Sequence, residues 1–151
     1  MGESVLGTRV ITQVAIIVKD INMTASKFAA FLGLEKPQII ITDEYDKAQT
    51  EYRGKPSKAR AKLAFIKISE NVDLELIEPD SGPSTWREFL DKNGEGVHHL
   101  AFVVKGIKDV VKKLGEIGMP LVQKGEYTGG RYAYIDATED LKVMLELLEN
   151  D

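Results

Sequence analysis

Two apolar runs of the chain lie over one another without a gap. Val14-Ala15-Ile16-Ile17-Val18-Lys19-Asp20-Ile21 matches Leu100-Ala101-Phe102-Val103-Val104-Lys105-Gly106-Ile107. Each run has the length and β-branched content of a buried strand. Side chains of a strand alternate between two faces, so Val14, Ile16 and Val18 share one face and Gln13, Ala15 and Ile17 the other. In the second run Leu100, Phe102 and Val104 go together, and His99 follows Ala101 and Val103. In this register His99 falls on Gln13.

The repeat extends beyond the strands. A helical pattern follows each, Met23 to Leu32 and Ile107 to Ile117, and each ends at a glycine, Gly33 or Gly118. Each half then closes on runs of the same grammar, Val72-Asp73-Leu74-Glu75-Leu76-Ile77-Glu78 and Val143-Met144-Leu145-Glu146-Leu147-Leu148-Glu149. That places Glu75 on Glu146. Between the marked runs, Gln38 to Thr42 and Ala61 to Ile68 read as strands in the first half. Leu121 to Glu126 and Arg131 to Asp136 do so in the second. Asp43 to Ala59 is polar, with Gly54 and Pro56, and reads as a long loop of the kind that is usually functional or disordered. Pro79 to Pro83 is a linker into a short helix carrying Trp86, Phe89 and Leu90. The pattern predicts one α+β domain over residues 1–151, built from two paired β-α-β-β-β modules around a cleft. The modules span about 10–79 and 95–149, with the linker helix at about 80–94, and together form a curved mixed sheet.

Strand parity decides which polar residues can meet. Gln13, Glu75, His99 and Glu146 each oppose the leucine and valine face of their own strand, so all four point to the side away from the helices. A carboxylate framed by leucines is costly to bury without a partner. One such residue alone is more often a satisfied core group or a solvated strand position. Four matched across an internal duplication point to a shared partner, and a divalent cation is the economical one. One imidazole nitrogen and three oxygens suit Zn, Co, Ni, Mn or Fe(II). By the same parity His98 is expected to pack on the helix side, and Glu78 and Glu149 to end as solvated strand termini.

Composition narrows the class. The 151 residues hold 43% hydrophobic and 29% charged side chains, ordinary values for a globular protein. The absence of cysteine removes disulfides, thiolate ligands and thiol nucleophiles. A net charge of −4 with mixed signs does not suit a nucleic-acid groove. No signal-like segment or membrane-length apolar run is present, so a cytoplasmic setting is expected.

With Gln13, Glu75, His99 and Glu146 in place, the chain resembles the vicinal oxygen chelate superfamily of glyoxalase I, methylmalonyl-CoA epimerase and extradiol dioxygenases. The likeness covers Ile11 to Glu149. It is most like the epimerases, through Leu74 to Pro79, through Phe89 to Phe102 with its Gly94-Glu95-Gly96-Val97-His98-His99 core, and through Leu145 to Glu149. The resemblance implies a divalent metal held by His99 and Glu146, with Gln13 and Glu75 completing the set. It implies a small-molecule substrate such as an acyl-CoA, an enediolate formed by loss of its α-proton, and, by analogy, a homodimer. Glu146 is the expected acid/base group, with Glu51 or Glu75 as its mate. Arg131, Tyr132 and Tyr134, after a Gly-Gly turn, are candidates to contact an anionic substrate. Epimerases usually open with histidine where this chain has Gln13, and the Gln/Glu/His/Glu set resembles some glyoxalase I enzymes. That makes a lactoylglutathione lyase the second reading. A metal-free small-molecule binding protein on the same scaffold is the alternative from another class.

Overall fold

The computed structural model describes Gly2 and residues 4–151. The duplicated strands form its centre: β1 (Gln13–Ile17) runs antiparallel to β7 (Gly96–Val103). Each is flanked on its outer side by the last strand of its own module, in parallel. β6 (Asp73–Pro79) lies beside β1, and β10 (Met144–Asn150) beside β7. Beyond β6 come β5 (Ala61–Lys67) and the two-residue β2 (Ile40–Ile41); beyond β10 come β9 (Gly130–Ile135) and β8 (Leu121–Tyr127). The result is a curled mixed sheet of two β-α-β-β-β modules related by the duplication.

The helices follow from local chemistry. α1 (Ile21–Leu32) starts at Asp20, whose side chain accepts the Met23 N–H at 3.0 Å. It stops at Gly33, which takes a left-handed conformation with φ 71° that a side chain would strain. Its buried residues Ile21, Ala25 and Ala29 are spaced by four, and the alanines let it lie close to Leu74, Leu76 and Ile66 on the outer face of the sheet. α4 (Ile107–Glu116) sets Ile107, Val110 and Leu114 against Leu145, Leu147 and Ile135 on the same outer face. Each large apolar side chain so buried contributes roughly 1.5–3 kcal/mol. α3 (Thr85–Asn93) is capped by Ser84, which accepts from Arg87 N at 2.9 Å, and packs Trp86 and Leu90 on the inner face against Ala15, Ile17 and Ile77.

The expected loop from Asp43 to Ala59 is a structured strap. It holds α2 (Tyr45–Ala48) and a small hairpin, β3 (Glu51–Tyr52) with β4 (Lys55–Pro56). β3 pairs with β8, so a connection within the first module reaches the far strand of the second. Tyr52 and Arg53 pin it to α3: the Tyr52 hydroxyl donates to the Glu88 carboxylate, and Arg53 Nη2 to both its oxygens at 2.9 and 2.8 Å. The turn expected near Thr138 is a single helical turn, α5 (Thr138–Leu141).

Two parity expectations fail for definite reasons. The β1–β7 ladder pairs Ala15 with His99 and Ile16 with Val97, skipping His98. This bulge turns His98 to the inner face beside His99, instead of the helix side. Glu78 and Glu149 are not solvated strand ends. Glu78 Oε1 accepts the Ile21 N–H at 3.0 Å, and Glu149 Oε2 accepts those of Gly106 at 2.6 Å and Ile107 at 3.1 Å. Each caps the helix of its own module.

Candidate metal centre and cavity

Four neighbouring strands, β6, β1, β7 and β10, each send one residue to the inner face: Glu75 and His99 flank Ala15 on one rung, and Gln13 and Glu146 flank Ala101 on the next inward-facing one. Ligand atoms of Glu75, His99 and Glu146 all lie within 4.8 Å of one another, and the three residues are buried. His99 Nε2 stands 3.4 Å from Glu75 Oε1 and 3.2 Å from Glu146 Oε1. These are charge-pair separations without aligned hydrogen bonds: His99 Nε2, Glu75 Oε1 and Gln13 Oε1 are buried with no hydrogen-bond partner. Unpaired buried polar atoms are rare. Glu75, His99 and Glu146, drawn together with two such atoms among them and with the unpaired Gln13 Oε1 on the neighbouring strand, fit a borderline divalent cation in donor type and charge. Gln13, Glu75, His99 and Glu146 would hold it.

The electrostatics show the same strain. Burial opposes a charged imidazole at His99, yet the carboxylates of Glu146 and then Glu75 outweigh it and push the ring up to about 9. Burial drives the Glu75 carboxyl above its usual range, with His99 working against the shift. His98 is driven well below the ordinary histidine value by burial and by the neighbouring His99, so it is neutral. Its Nδ1 lies 2.8 Å from His99 Nδ1, and its Nε2 3.1 Å from Thr85 Oγ1.

The site forms the floor of a cavity of about 580 Å³. Trp86, Tyr132, Tyr134, Leu63, Phe65 and Leu148 make its walls, with Ile40, Ile41 and Thr50 contributed by β2 and the strap. Tyr134 is buried with its ring centroid 4.9 Å from that of His99, and its hydroxyl accepts from Trp86 Nε1 at 3.0 Å. Burial, reinforced by Glu146 and Glu75, raises the Tyr134 phenol well above its usual value, and burial raises Tyr132 to about 12; both stay protonated. Tyr132 lies over Gly125, where an added Cβ would sit 2.6 Å from the ring, and receives a hydrogen bond from Gln123 Nε2 at 3.1 Å. Among the described residues lining the cavity there is no lysine or arginine, while Asp43, Asp73 and Glu126 join Glu75 and Glu146.

Of the residues singled out in the sequence, the structure brings Gln13, Glu75, Glu146, Tyr132 and Tyr134 to the lining of this cavity, with His99 fully buried against Glu75 and Glu146. It does not bring Glu51 or Arg131. Glu51 sits on β3, 3.4 Å from Lys124, in a separate groove on the outer face. Alternation along β9 sends Arg131 to that groove too, where it binds Glu149 at 3.1 Å and Asp151 at 2.5 Å. Asp43, Trp86 and Gln123 were not singled out as site residues. Only Trp86, the one tryptophan of the chain, carried a signal in composition.

Residues 12–134 match the Glyoxalase/Bleomycin resistance protein/Dioxygenase superfamily, and the chain belongs to it. YqjC of Bacillus subtilis is 31% identical over 93 residues, which cover 60% of this chain and 66% of that protein. The ethylmalonyl-CoA/methylmalonyl-CoA epimerase of Cereibacter sphaeroides is 30% identical over 119 residues, 77% of this chain and 76% of that protein. Among solved structures, the methylmalonyl-CoA epimerase of Mycobacterium tuberculosis is similar in fold, with a TM-score of 0.63 at 22% identity, covering 100% of this chain and 93% of that one.

Proposed function

We propose that the chain is a divalent-cation-dependent isomerase that removes and returns the proton at the α-carbon of an acyl-CoA of the methylmalonyl type. The observation that carries this reading is the convergence of Glu75, His99 and Glu146 within 4.8 Å around buried polar atoms without partners. A cation held there by Gln13, Glu75, His99 and Glu146 would supply positive charge where the thioester and carboxylate oxygens gather negative charge as the α-proton leaves. The chain's own residues do the rest. Glu75 and Glu146 arrive from strands on opposite sides of the central β1–β7 pair. A planar carbon-acid intermediate over that pair has one carboxylate on each side, so one takes the proton and the other returns it to the opposite face. Glu51, on the outer face, takes no part. The aromatic and aliphatic walls keep water from the exposed carbanion.

The charge of the lining supports a thioester over a glutathione conjugate. Glutathione brings two carboxylates, and the cavity offers acidic side chains with no lysine or arginine among its described residues. The pantetheine arm of an acyl-CoA is uncharged for roughly 15 Å, taking about 3.5 Å for each of some four peptide-like units, so its phosphates lie outside. The Cereibacter sphaeroides relative, an ethylmalonyl-CoA/methylmalonyl-CoA epimerase, supports the same substrate class. Proton NMR of methylmalonyl-CoA in D₂O tests the reading with metal-stripped protein and then with added Co²⁺ or Mn²⁺. Cation-dependent loss of the α-proton signal above the protein-free rate is expected. No exchange with any cation would sink the acyl-CoA reading, and exchange with a glutathione hemithioacetal instead would make the protein a lyase.

A further inference from the structure

We propose that His98 is a positioning residue, whose Nδ1 fixes the ring tautomer of His99 and leaves the His99 Nε2 lone pair free for a divalent cation. The inference rests on the cation site proposed above. Adjacent strand residues ordinarily face opposite ways, and only the bulge in β7 brings both rings to one face. The two Nδ1 atoms are 2.8 Å apart with the ring planes at 82°, so one nitrogen donates and the other accepts. A nitrogen that binds a cation must be unprotonated, which places the His99 proton on Nδ1 and makes His98 Nδ1 the acceptor. His98 then carries its own proton on Nε2, where Thr85 Oγ1 stands ready at 3.1 Å. Thr85 is itself held, its backbone N–H donating to the buried Gln123 Oε1 at 2.8 Å. His98 is 2% exposed, so no bulk water competes for the acceptor position. Metal-bound histidines usually donate their second nitrogen to a carboxylate, a carbonyl or water. Here a neutral histidine fills that place.

The test compares the full chain with His98→Leu, which removes the acceptor, and His98→Asn, whose side-chain oxygen reaches towards the former Nδ1 position. Co²⁺ affinity is expected to fall about 10- to 100-fold in the leucine variant and to recover in large part with asparagine. Long-range ¹H–¹⁵N spectra of the Zn²⁺-loaded native protein are expected to show His99 protonated at Nδ1 and His98 at Nε2. A leucine variant that keeps the native amide spectrum and binds Co²⁺ as tightly as the native protein overturns the proposal. So does an Nε2-protonated His99 in the loaded native protein, a result that decides the matter even if the leucine variant does not fold. A native protein that takes up no Co²⁺ defeats the cation reading itself and takes this inference with it.

Discussion

The Glu78 carboxylate accepts the backbone N–H of Ile21 at 3.0 Å, closing the first turn of α1 from the strand that ends the same module. Glu149 does the same for Gly106 and Ile107 at the head of α4. The duplication therefore repeats a helix cap as well as a candidate ligand. Each closing strand carries both, three residues apart: Glu75 and Glu78, Glu146 and Glu149. One carboxylate faces inward and the other reaches round to the helix.

Replacing Glu78 by alanine leaves the Ile21 N–H without its partner. Caps of this kind contribute about 1 kcal/mol. A urea melt should move to a lower midpoint with an unchanged slope. A midpoint equal to the native one would mean that water serves the N–H as well as the carboxylate does.

Glu149 adds a pH dependence. The N–H of Ile107 first, then that of Gly106 and the Arg131 guanidinium, hold its carboxyl below the usual value. A folded value below the unfolded one means the stabilisation is complete above the unfolded carboxylate value, near about 4.3. It is lost as pH falls through the folded value. The stability gap between the native protein and Glu149→Gln is thus expected to be wide at neutral pH and to close as the solution is acidified to about pH 3. A gap as wide in acid as at neutrality would show that the glutamine fails for reasons of shape.

Without a cation Glu75, His99 and Glu146 are crowded and the buried atoms unpaired. Adding Co²⁺ at a hundred times its dissociation constant should stabilise the fold by about 2.7 kcal/mol. For a chain of this size that is roughly 5–10 °C in Tm. Glu146→Gln should lose most of the gain. A Tm indifferent to Co²⁺, Zn²⁺, Ni²⁺ and Mn²⁺ would leave the metal-free binding protein as the better account.

The proposed reaction separates the carboxylates by location. Glu146→Gln is expected to slow α-proton exchange by about 10²–10⁴-fold. Glu51→Gln, changed on the outer face beside Lys124, should exchange at the native rate. The NMR assay above reads both, and a large loss at Glu51 would return it to the reaction.

Much of the site is legible in the chain because a strand's two-residue period leaves little choice. Once Leu74 and Leu76 face the helix, Glu75 cannot, and the same holds for Glu146 between Leu145 and Leu147. The same rule separates Arg131 from Tyr132 and Tyr134, although their shared position after the Gly-Gly turn suggests a common role. His98 is different. A one-residue bulge has no signature in hydrophobic periodicity, yet it decides which face the ring occupies. The destination of the strap was equally hidden, because Glu51 and Tyr52 find β8 through two rungs of backbone pairing and an anchor on Glu88, with no apolar pattern to announce it.

The strap has a consequence for the backbone as well as for the cavity. Both ends of the ten-strand sheet come from the one connection between Ile40 and Pro56, β2 closing one side and β4 the other. An open strand edge is a template on which another chain can build. Here each outermost strand is two residues long, and one of the four residues is Pro56, which has no N–H to give. β2 pairs with Lys62 and Leu63 of the seven-residue β5, and β3 with Gln123 and Lys124 of the seven-residue β8, so the segment that roofs the cavity also blunts each edge over that short stretch.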